Sequence, residues 1–219
     1  AAFVRSHHAG ALGQAVERIA NAGMLAMMFT NAPSAMTSWG GRRAVFGTNP
    51  IAFSAPRRGK PPVIVDLALS EVARGKILAA AQKGEAIPEG WAKDAEGNPT
   101  TDAKAALKGT VYPAGGAKGA ALAFMVEVLS VAIAGANYAY EASSLFDAEG
   151  DPPGLGQFLL VIDPGAFAGA DIFADRFEAL ASEIEGDEGA RLPGTRKLAL
   201  REKAAKEGLA VSDDLLAKL

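Results

Sequence analysis

Residues 51–76 read IAFSAPRRGKPPVIVDLALSEVARGK. Two apolar runs of strand length, IAFSAP and PVIVDLA, stand in it, and the second reads as a buried strand ending at Asp66. Ser70 then precedes a helical pattern from about Val72 to Lys83, with Gly84 as its stop signal. Strand followed by helix is the building unit of α/β proteins, and in their open sheets ligands gather beyond the carboxyl ends of the strands. An aspartate there could accept ribose hydroxyls; a helix-capping aspartate is the common alternative.

Working outward, MLAMMFTN (24–31) is a continuous apolar run ending in a polar pair, and reads as another strand. Before it, Ser6 is a good N-cap for a helix to about Ala22, with Gly23 as stop. Residues 32–50 are rich in Gly, Pro, Ser and Asn and read as loop. Towards the other end, 85–117 hold many turn signals and one short helix near Ala103–Leu107. A long apolar helix spans 119–135, 141–156 form a loop, GQFLLVID is a strand, and ADIFADRFEALASEIEG is an amphipathic helix. The final thirty residues open with RLPGTR and carry two charged helices. The alternation argues for an α/β sheet covered on both faces, with a domain over 1–190 and a helical arm over 191–219.

The 219 residues are enough to bury a sizeable core without staples. Apolar residues make up 49% and charged residues 21%, ordinary for a globular protein. With 22 basic and 25 acidic residues the net charge is −3 and no basic tract appears, so nucleic acid is not an expected partner. The absence of cysteine excludes a disulfide scaffold and thiolate metal sites and fits the cytosol. GAALAFMVEVLSVAIAGA (119–136) is the most membrane-like segment, but Glu127 at its centre points to a buried helix and not a membrane span.

The two histidines of the chain, His7 and His8, are adjacent. On a helix they would point about 100° apart, so they cannot share a metal, and no third ligand cluster is apparent. At a helix start the dipole favours neutral imidazole, which suits proton exchange near neutral pH. GLGQFL at 154–159 has two of the three glycines of a dinucleotide fingerprint but precedes a strand instead of following one. AGGAKGAA at 114–121 lacks a P-loop ending, yet a glycine turn with Lys118 opening a long helix is a competent anion site. In SWGGRRAVFGTNP, Arg42 and Arg43 could hold an anion, and a second glycine turn presents Thr48 and Asn49 at a strand start.

Taken together, RSHHAGALG, FTNAPSAMTSWGGRRAVFGTNPIAF, VDLALSEVARGKI, GEAIPEGWAKDAEGNPTTD, PAGGAKGAALAFMVEVL, GQFLLVIDP and RLPGTR resemble the malate/L-lactate dehydrogenase family that does not use a Rossmann fold. The family also includes sulfolactate and ureidoglycolate dehydrogenases, diketogulonate reductase and piperideine-2-carboxylate reductase. The resemblance implies a three-layer α/β/α fold with one mixed sheet of about seven strands. It implies a cytoplasmic homodimer with active sites near the subunit interface, and hydride transfer between NAD or NADP and a small 2-hydroxy or 2-keto acid. By motif, His8 is the implied proton donor or acceptor, and His8, Ala9, Gly10, Ala11 and Leu12 would line the cofactor. Thr48, Asp66, Leu67, Ala68, Arg74, Gly75 and Lys118 would continue that site, and Gly194, Thr195 and Arg196 would close it. Asn31 and His7 would lie near the substrate.

Two departures bear on the pocket. Many relatives have an aromatic after the histidine pair and a histidine in the glycine–lysine turn, where this chain has Ala9 and Ala117, which implies a roomier or less polar pocket. The family also carries a further, mostly helical segment ahead of this point, with a Ser-His-Gly motif whose histidine is the proposed acid in some members. The chain is therefore expected to be a fragment, a truncated product or one part of a split protein. The alternatives are a catalytically silent nucleotide-binding or dimerisation fragment, and a reductase of cyclic imine-2-carboxylates from the same family.

Overall fold

The first surprise lies at the amino end, where an extended strand takes up the residues expected to open a helix. The computed structural model describes residues 1–145, 150–211 and 213–217. In chain order its elements are β1 (Ala2–Ser6), α1 (Leu12–Asn21), β2 (Leu25–Thr30), β3 (Met36–Thr37), β4 (Ala44–Phe46), β5 (Ile51–Arg57), β6 (Lys60–Leu67), α2 (Arg74–Lys83), β7 (Ala92–Lys93), β8 (Pro99–Thr100), α3 (Ala103–Lys108), β9 (Thr110–Val111) and α4 (Ala117–Glu127). A π-helical turn, Val128–Ala132, prolongs α4, and β10 (Leu155–Ile162), α5 (Ala170–Gly186), α6 (Thr195–Glu207) and α7 (Asp213–Leu216) complete the chain.

Ser6 is not a helix cap. It ends β1 and pairs with Leu155 of β10, and α1 starts only at Leu12, after Ala11, whose side chain cannot cap. Consequently His7 and His8 lie in an irregular link and not on a helix, and the dipole argument for their protonation does not apply. Ser70 likewise does not cap α2: its hydroxyl donates to the Val72 carbonyl at 2.8 Å, and its backbone bridges Pro113. The helix begins at Arg74, while Gly84 ends it at φ 69° as its sequence position implies.

The strands divide between two sheets, where one mixed sheet of about seven strands was expected. The first has the order β1-β10-β2-β5-β6, and every pair in it is antiparallel. The second, β4-β3-β9-β7-β8, is made of strands of two or three residues and contains one parallel pair, β3 with β9. The antiparallel pairing of the first sheet is legible around Gly59. Arg57 pairs with Lys60, so β5 and β6 are joined by a two-residue loop, Arg58–Gly59, with Gly59 at φ 66°. That is a hairpin, and a parallel crossover needs a much longer connection.

Alternation along the strands sends side chains to both faces of the first sheet. On one face Ala26, Ala52 and Ile64 pack beneath Leu12 and Val16 of α1. Ser54, fully buried, ties β5 to that helix by donating its hydroxyl to the Val16 carbonyl at 2.7 Å. On the other face Met27, Phe29, Ile51 and Phe158 meet Ala123 and Val126 of α4, together with Met36, Ala92 and Val111 of the second sheet. Full burial of a side chain such as Val16 or Val126 stabilises by roughly 1.5–3 kcal/mol. The fold is mixed α/β.

The long apolar helix is only half covered. Ala120, Ala123, Val126 and Val131 are buried, whereas Phe124 and Ile133 are about 60% exposed. Among the described residues no helix is long and apolar enough to cross a membrane. The hairpin tip holds α5 through charge: Arg57 donates to Glu178 at 2.7 Å and to Glu185 at 2.9 Å, and Lys60 reaches Glu178 at 2.9 Å. These partners keep the Glu178 carboxyl down at about 2, with the Arg57 hydrogen bonds as the largest cause. Leu192, ahead of α6, packs with Val63 and Ala181.

Candidate functional site

Five separated segments meet around a cleft of about 810 Å³. The link after β1 supplies His7 and His8, the residues after β2 supply Ala32 to Ala35, the turn before β5 supplies Thr48, and the start of α2 supplies Arg74 and Gly75. Ala142, Ser144 and Leu145 close the remaining side. The volume lies within the range of small-molecule sites.

Each wall is fixed from behind. The His7 carbonyl accepts from Gln157 Nε2 at 3.4 Å, and the same amide donates to Thr30 Oγ1 at 3.2 Å, which anchors the histidine link to β10 and β2. Both imidazoles are exposed, and neither makes a hydrogen bond among the described residues. Gly47 lies so close to the Ala32 carbonyl that a Cβ there would collide with it, which presses the Thr48 turn against the Ala32 wall. The Thr48 carbonyl accepts from the Leu69 amide at 2.8 Å. The Arg74 guanidinium donates to the Ser34 carbonyl at 3.2 Å and the Leu107 carbonyl at 2.7 Å, and burial pushes its pKa down.

Asn31 is placed differently from its expected substrate contact. It is 1% exposed; its Nδ2 donates to the Asn137 carbonyl at 2.8 Å, and its Oδ1 accepts from the Gly156 amide at 3.0 Å. It supports the floor of the site from inside. Leu12, expected to line a cofactor, is 2% exposed and its side chain belongs to the core under α1.

A second group of expected residues gathers elsewhere, around a pocket of about 170 Å³ lined by Ala11, Gly13, Asp66, Gly194, Lys197 and Arg201, among others. Here Asp66 acts as the helix-capping aspartate: its Oδ2 accepts from the Gly13 amide in the first turn of α1 at 3.1 Å and pairs with Lys197 at 3.2 Å. Because the sheet is antiparallel, the argument from carboxyl ends of parallel strands does not apply to it. Gly194, at φ 86°, sits where a Cβ would come within 2.8 Å of the Ile64 carbonyl, so α6 starts hard against β6. Thr195 donates its hydroxyl to the Leu192 carbonyl at 2.8 Å, and Arg201 grips Glu17 at 2.7 and 3.0 Å, holding the Glu17 carboxyl below its ordinary value.

The remaining expected residues join neither group. Lys118 follows the Gly115–Gly116 turn that opens α4 and is exposed; Trp39 lies over Gly116, whose added Cβ would meet the indole at 3.2 Å. Arg42 lines a separate groove of about 1020 Å³ with Lys93 and Lys108, while Arg43 stacks over Tyr140 at 5.7 Å. Leu67, Ala68, Ala9, Gly10 and Arg196 line neither the cleft nor the small pocket. Among the described residues no group of three His, Cys, Asp or Glu could hold a metal.

Sequence reasoning missed Gln157, Asn137, Lys197 and the Asn49–Glu127 contact. Gln157 was visible as a polar residue entering an apolar strand, and Lys197 lies one position past RLPGTR. Asn49, read as presented with Thr48, instead turns inward and is fully buried, with Nδ2 donating to Glu127 Oε1 at 2.9 Å.

A family model described as malate/L-lactate dehydrogenase matches residues 1–219. The chain is 53% identical over 196 residues to a (2R)-3-sulfolactate dehydrogenase (NADP(+)) of Chromohalobacter salexigens, covering 90% of this chain and 58% of that protein. It is 40% identical over 220 residues to a Delta(1)-pyrroline-2-carboxylate/Delta(1)-piperideine-2-carboxylate reductase of Pseudomonas putida, covering 98% of this chain and 63% of that one. The crystal structure of delta1-piperideine-2-carboxylate reductase from Pseudomonas syringae superposes with a TM-score of 0.89 at 36% identity, over 99% of this chain and 67% of that one. The chain thus spans about three-fifths of the length of the two curated relatives, 58% and 63%.

Proposed function

Because the chain belongs to the malate/L-lactate dehydrogenase family, we propose that it carries the proton-transfer cleft and part of the cofactor cradle of an NAD(P)-dependent oxidoreductase acting on a small 2-keto or 2-hydroxy acid. The observation that carries the reading is the cleft itself, which draws His7, His8, Thr48, Arg74 and Gly75 from distant parts of the sequence into one cavity. Its donor set fits a nicotinamide cofactor and a carboxylate substrate: imidazole, hydroxyl and guanidinium groups around open backbone.

When bound, NAD(P)H supplies the hydride, and the overall change is keto acid plus NAD(P)H plus a proton to hydroxy acid plus NAD(P)⁺. His8 donates the proton to the substrate oxygen as the carbonyl is reduced, and its exposed imidazole is recharged from solvent. In oxidation the same group accepts the hydroxyl proton. Arg74 places positive charge on the cleft wall beside Thr48, where a substrate carboxylate gains most from it. Asn31 acts as a positioning residue beneath the site.

NADP(H) is the favoured cofactor. A free carboxylate would repel a ribose 2′-phosphate, but Asp66 is already bonded to Gly13 and Lys197, and Arg201 lines the same pocket. The sulfolactate relative, whose name specifies NADP(+), agrees with this. The same similarity favours a hydroxy acid bearing a second anionic group. A homodimer, with Phe124 and Ile133 on a covered face, belongs to this proposal, as do helices layered on both faces of the sheet and a cytoplasmic location.

A second reading, reduction of cyclic imine-2-carboxylates, is favoured by the 40% identity to the Pseudomonas putida reductase. Steady-state turnover separates the two. With NADPH, the 2-keto acid corresponding to 3-sulfolactate should give a higher kcat/KM than piperideine-2-carboxylate; the reverse order establishes the imine reductase. Saturable NADPH binding with no turnover on either compound would identify a catalytically silent nucleotide-binding module.

A further inference from the structure

The turn that brings Thr48 to the cleft is held from inside the protein by a carboxyl that does not line the cleft. Asn49, immediately after Thr48, is fully buried and sits at φ 39°, in the left-handed region that asparagine enters more readily than other non-glycine residues. What holds it is α4: Asn49 Nδ2 donates to the Ala123 carbonyl at 3.1 Å and to Glu127 Oε1 at 2.9 Å. Glu127 is itself only 4% exposed.

The two groups are only half satisfied. Asn49 Oδ1 and Glu127 Oε2 are both buried without a hydrogen-bond partner among the described residues. They are the remaining polar atoms of the same amide and carboxyl that already meet through Nδ2 and Oε1. An ionised carboxylate offers acceptors alone, so Asn49 Oδ1 would gain no donor from it. A neutral carboxylic acid is complementary to a primary amide at both ends: the amide N–H donates to the acid carbonyl, and the acid O–H donates to the amide carbonyl.

We propose that Glu127 is a proton-carrying positioning residue: as a neutral acid it donates Oε2–H to Asn49 Oδ1 while accepting from Asn49 Nδ2, and this two-point clasp fixes the Gly47–Thr48–Asn49 turn on the cleft wall. The importance of that wall rests on the function proposed above; the clasp itself does not. Burial raises the Glu127 carboxyl to about 7, against the opposing pull of Asn49 and of the Ala139 and Gly47 amides. Among the described residues no charged side chain contributes to that shift: His7, His8 and Arg74 of the cleft, Glu141 near Ala139 and Lys118 of α4 all leave it untouched. Two of the contributing amides belong to cleft-wall segments, since Gly47 adjoins Thr48 and the Ala139 carbonyl accepts from the Ser34 amide at 3.0 Å. Losing the proton loosens the turn.

The test is infrared spectroscopy of the protein across neutral pH, with amide hydrogen exchange read at Thr48 and Asn49. Above about 5, where ordinary carboxyls are ionised, a protonated-carboxyl band should persist in the wild type up to about 7, vanish beyond it, and be missing from Glu127→Gln throughout that range. The protection factors of Thr48 and Asn49, which divide out the base-catalysed rise of intrinsic exchange with pH, should fall about tenfold in the wild type as the band is lost, the response to losing one buried hydrogen bond. Glutamine offers the same donor and acceptor as the neutral acid, so Glu127→Gln should keep its protection factors throughout, whereas those of Glu127→Ala should be low throughout. If Glu127→Ala fails to fold, Glu127→Gln alone decides. A wild type without that band in that range, or a Glu127→Gln whose protection factors still fall, overturns the proposal, with a bridging water on an ionised Glu127 as the replacement. Neither readout needs turnover, so a protein inactive on every keto acid would sink the proposed function and leave the clasp standing or falling by its own result.

Discussion

The short link from Ser6 to Gly13 touches two polar clusters of opposite character. At one end, His7 and His8 face the large cleft, exposed and without hydrogen bonds among the described residues. At the other, Gly13 meets Asp66, which pairs with Lys197, and Glu17 is gripped by Arg201. The second cluster satisfies its charges internally and fastens α6 to α1 and β6. The first leaves two imidazoles exposed on the wall of the cleft.

Breaking each cluster should therefore hurt in different ways. The largest effect is expected from His8→Ala, which removes a general acid and should lower turnover at least about a hundredfold while leaving the melting temperature unchanged. Steady-state kinetics beside thermal denaturation checks it. Asn49→Ala comes next. It leaves the Ala123 carbonyl and Glu127 without their buried donor, and should destabilise by about 2–3 kcal/mol in urea unfolding.

The pH dependence of stability sharpens the contrast between buried and paired carboxyls. Glu127 has a folded pKa raised to about 7, so the native state binds more protons than the unfolded chain. Its stabilising effect is fully present below the ordinary carboxyl value and is lost as pH rises from there to about 7, a change of order 3 kcal/mol. Glu178 runs the other way. Held down at about 2, it supports the fold above the ordinary carboxyl value and loses that support as pH falls towards 2. Urea midpoints measured across pH should therefore decline between mildly acidic and neutral conditions, and Glu127→Gln should abolish that decline. The smallest effect is expected at the sealed cluster: Lys197→Ala breaks a largely exposed ion pair and should change stability by less than about 1 kcal/mol. If Lys197 also meets a 2′-phosphate, that variant should lose much of the preference for NADPH over NADH, measurable by fluorescence titration.

Where each feature was legible follows from how local its cause is. The runs MLAMMFTN, IAFSAP, PVIVDLA and GQFLLVID all became strands, because continuous apolar patterning over several residues survives any arrangement of neighbours. The Gly23 and Gly84 stops also held, since a left-handed backbone is a local demand. Ser6 and Ser70 misled because a capping residue has a strand or turn role whenever its backbone finds a partner, here Leu155 and Pro113. The second sheet was hidden because strands of two or three residues are too short to show alternation. At the site, motifs named the cleft histidines, Thr48 and Arg74, but could not reveal that Asp66 is engaged with Gly13 and Lys197, or that Asn31 is sealed from the cleft. Those facts depend on which distant segments meet, and periodicity carries no record of that.

The most direct test is a titration of the wild-type protein and His8→Ala with NADPH, followed in the same cuvette by the 2-keto acid. Both proteins should show saturable NADPH fluorescence with closely similar affinity, and only the wild type should then lose the signal as hydride leaves. Equal rates of decay in the two proteins would remove His8 from the chemistry and contradict the assignment of the cleft as the reacting centre.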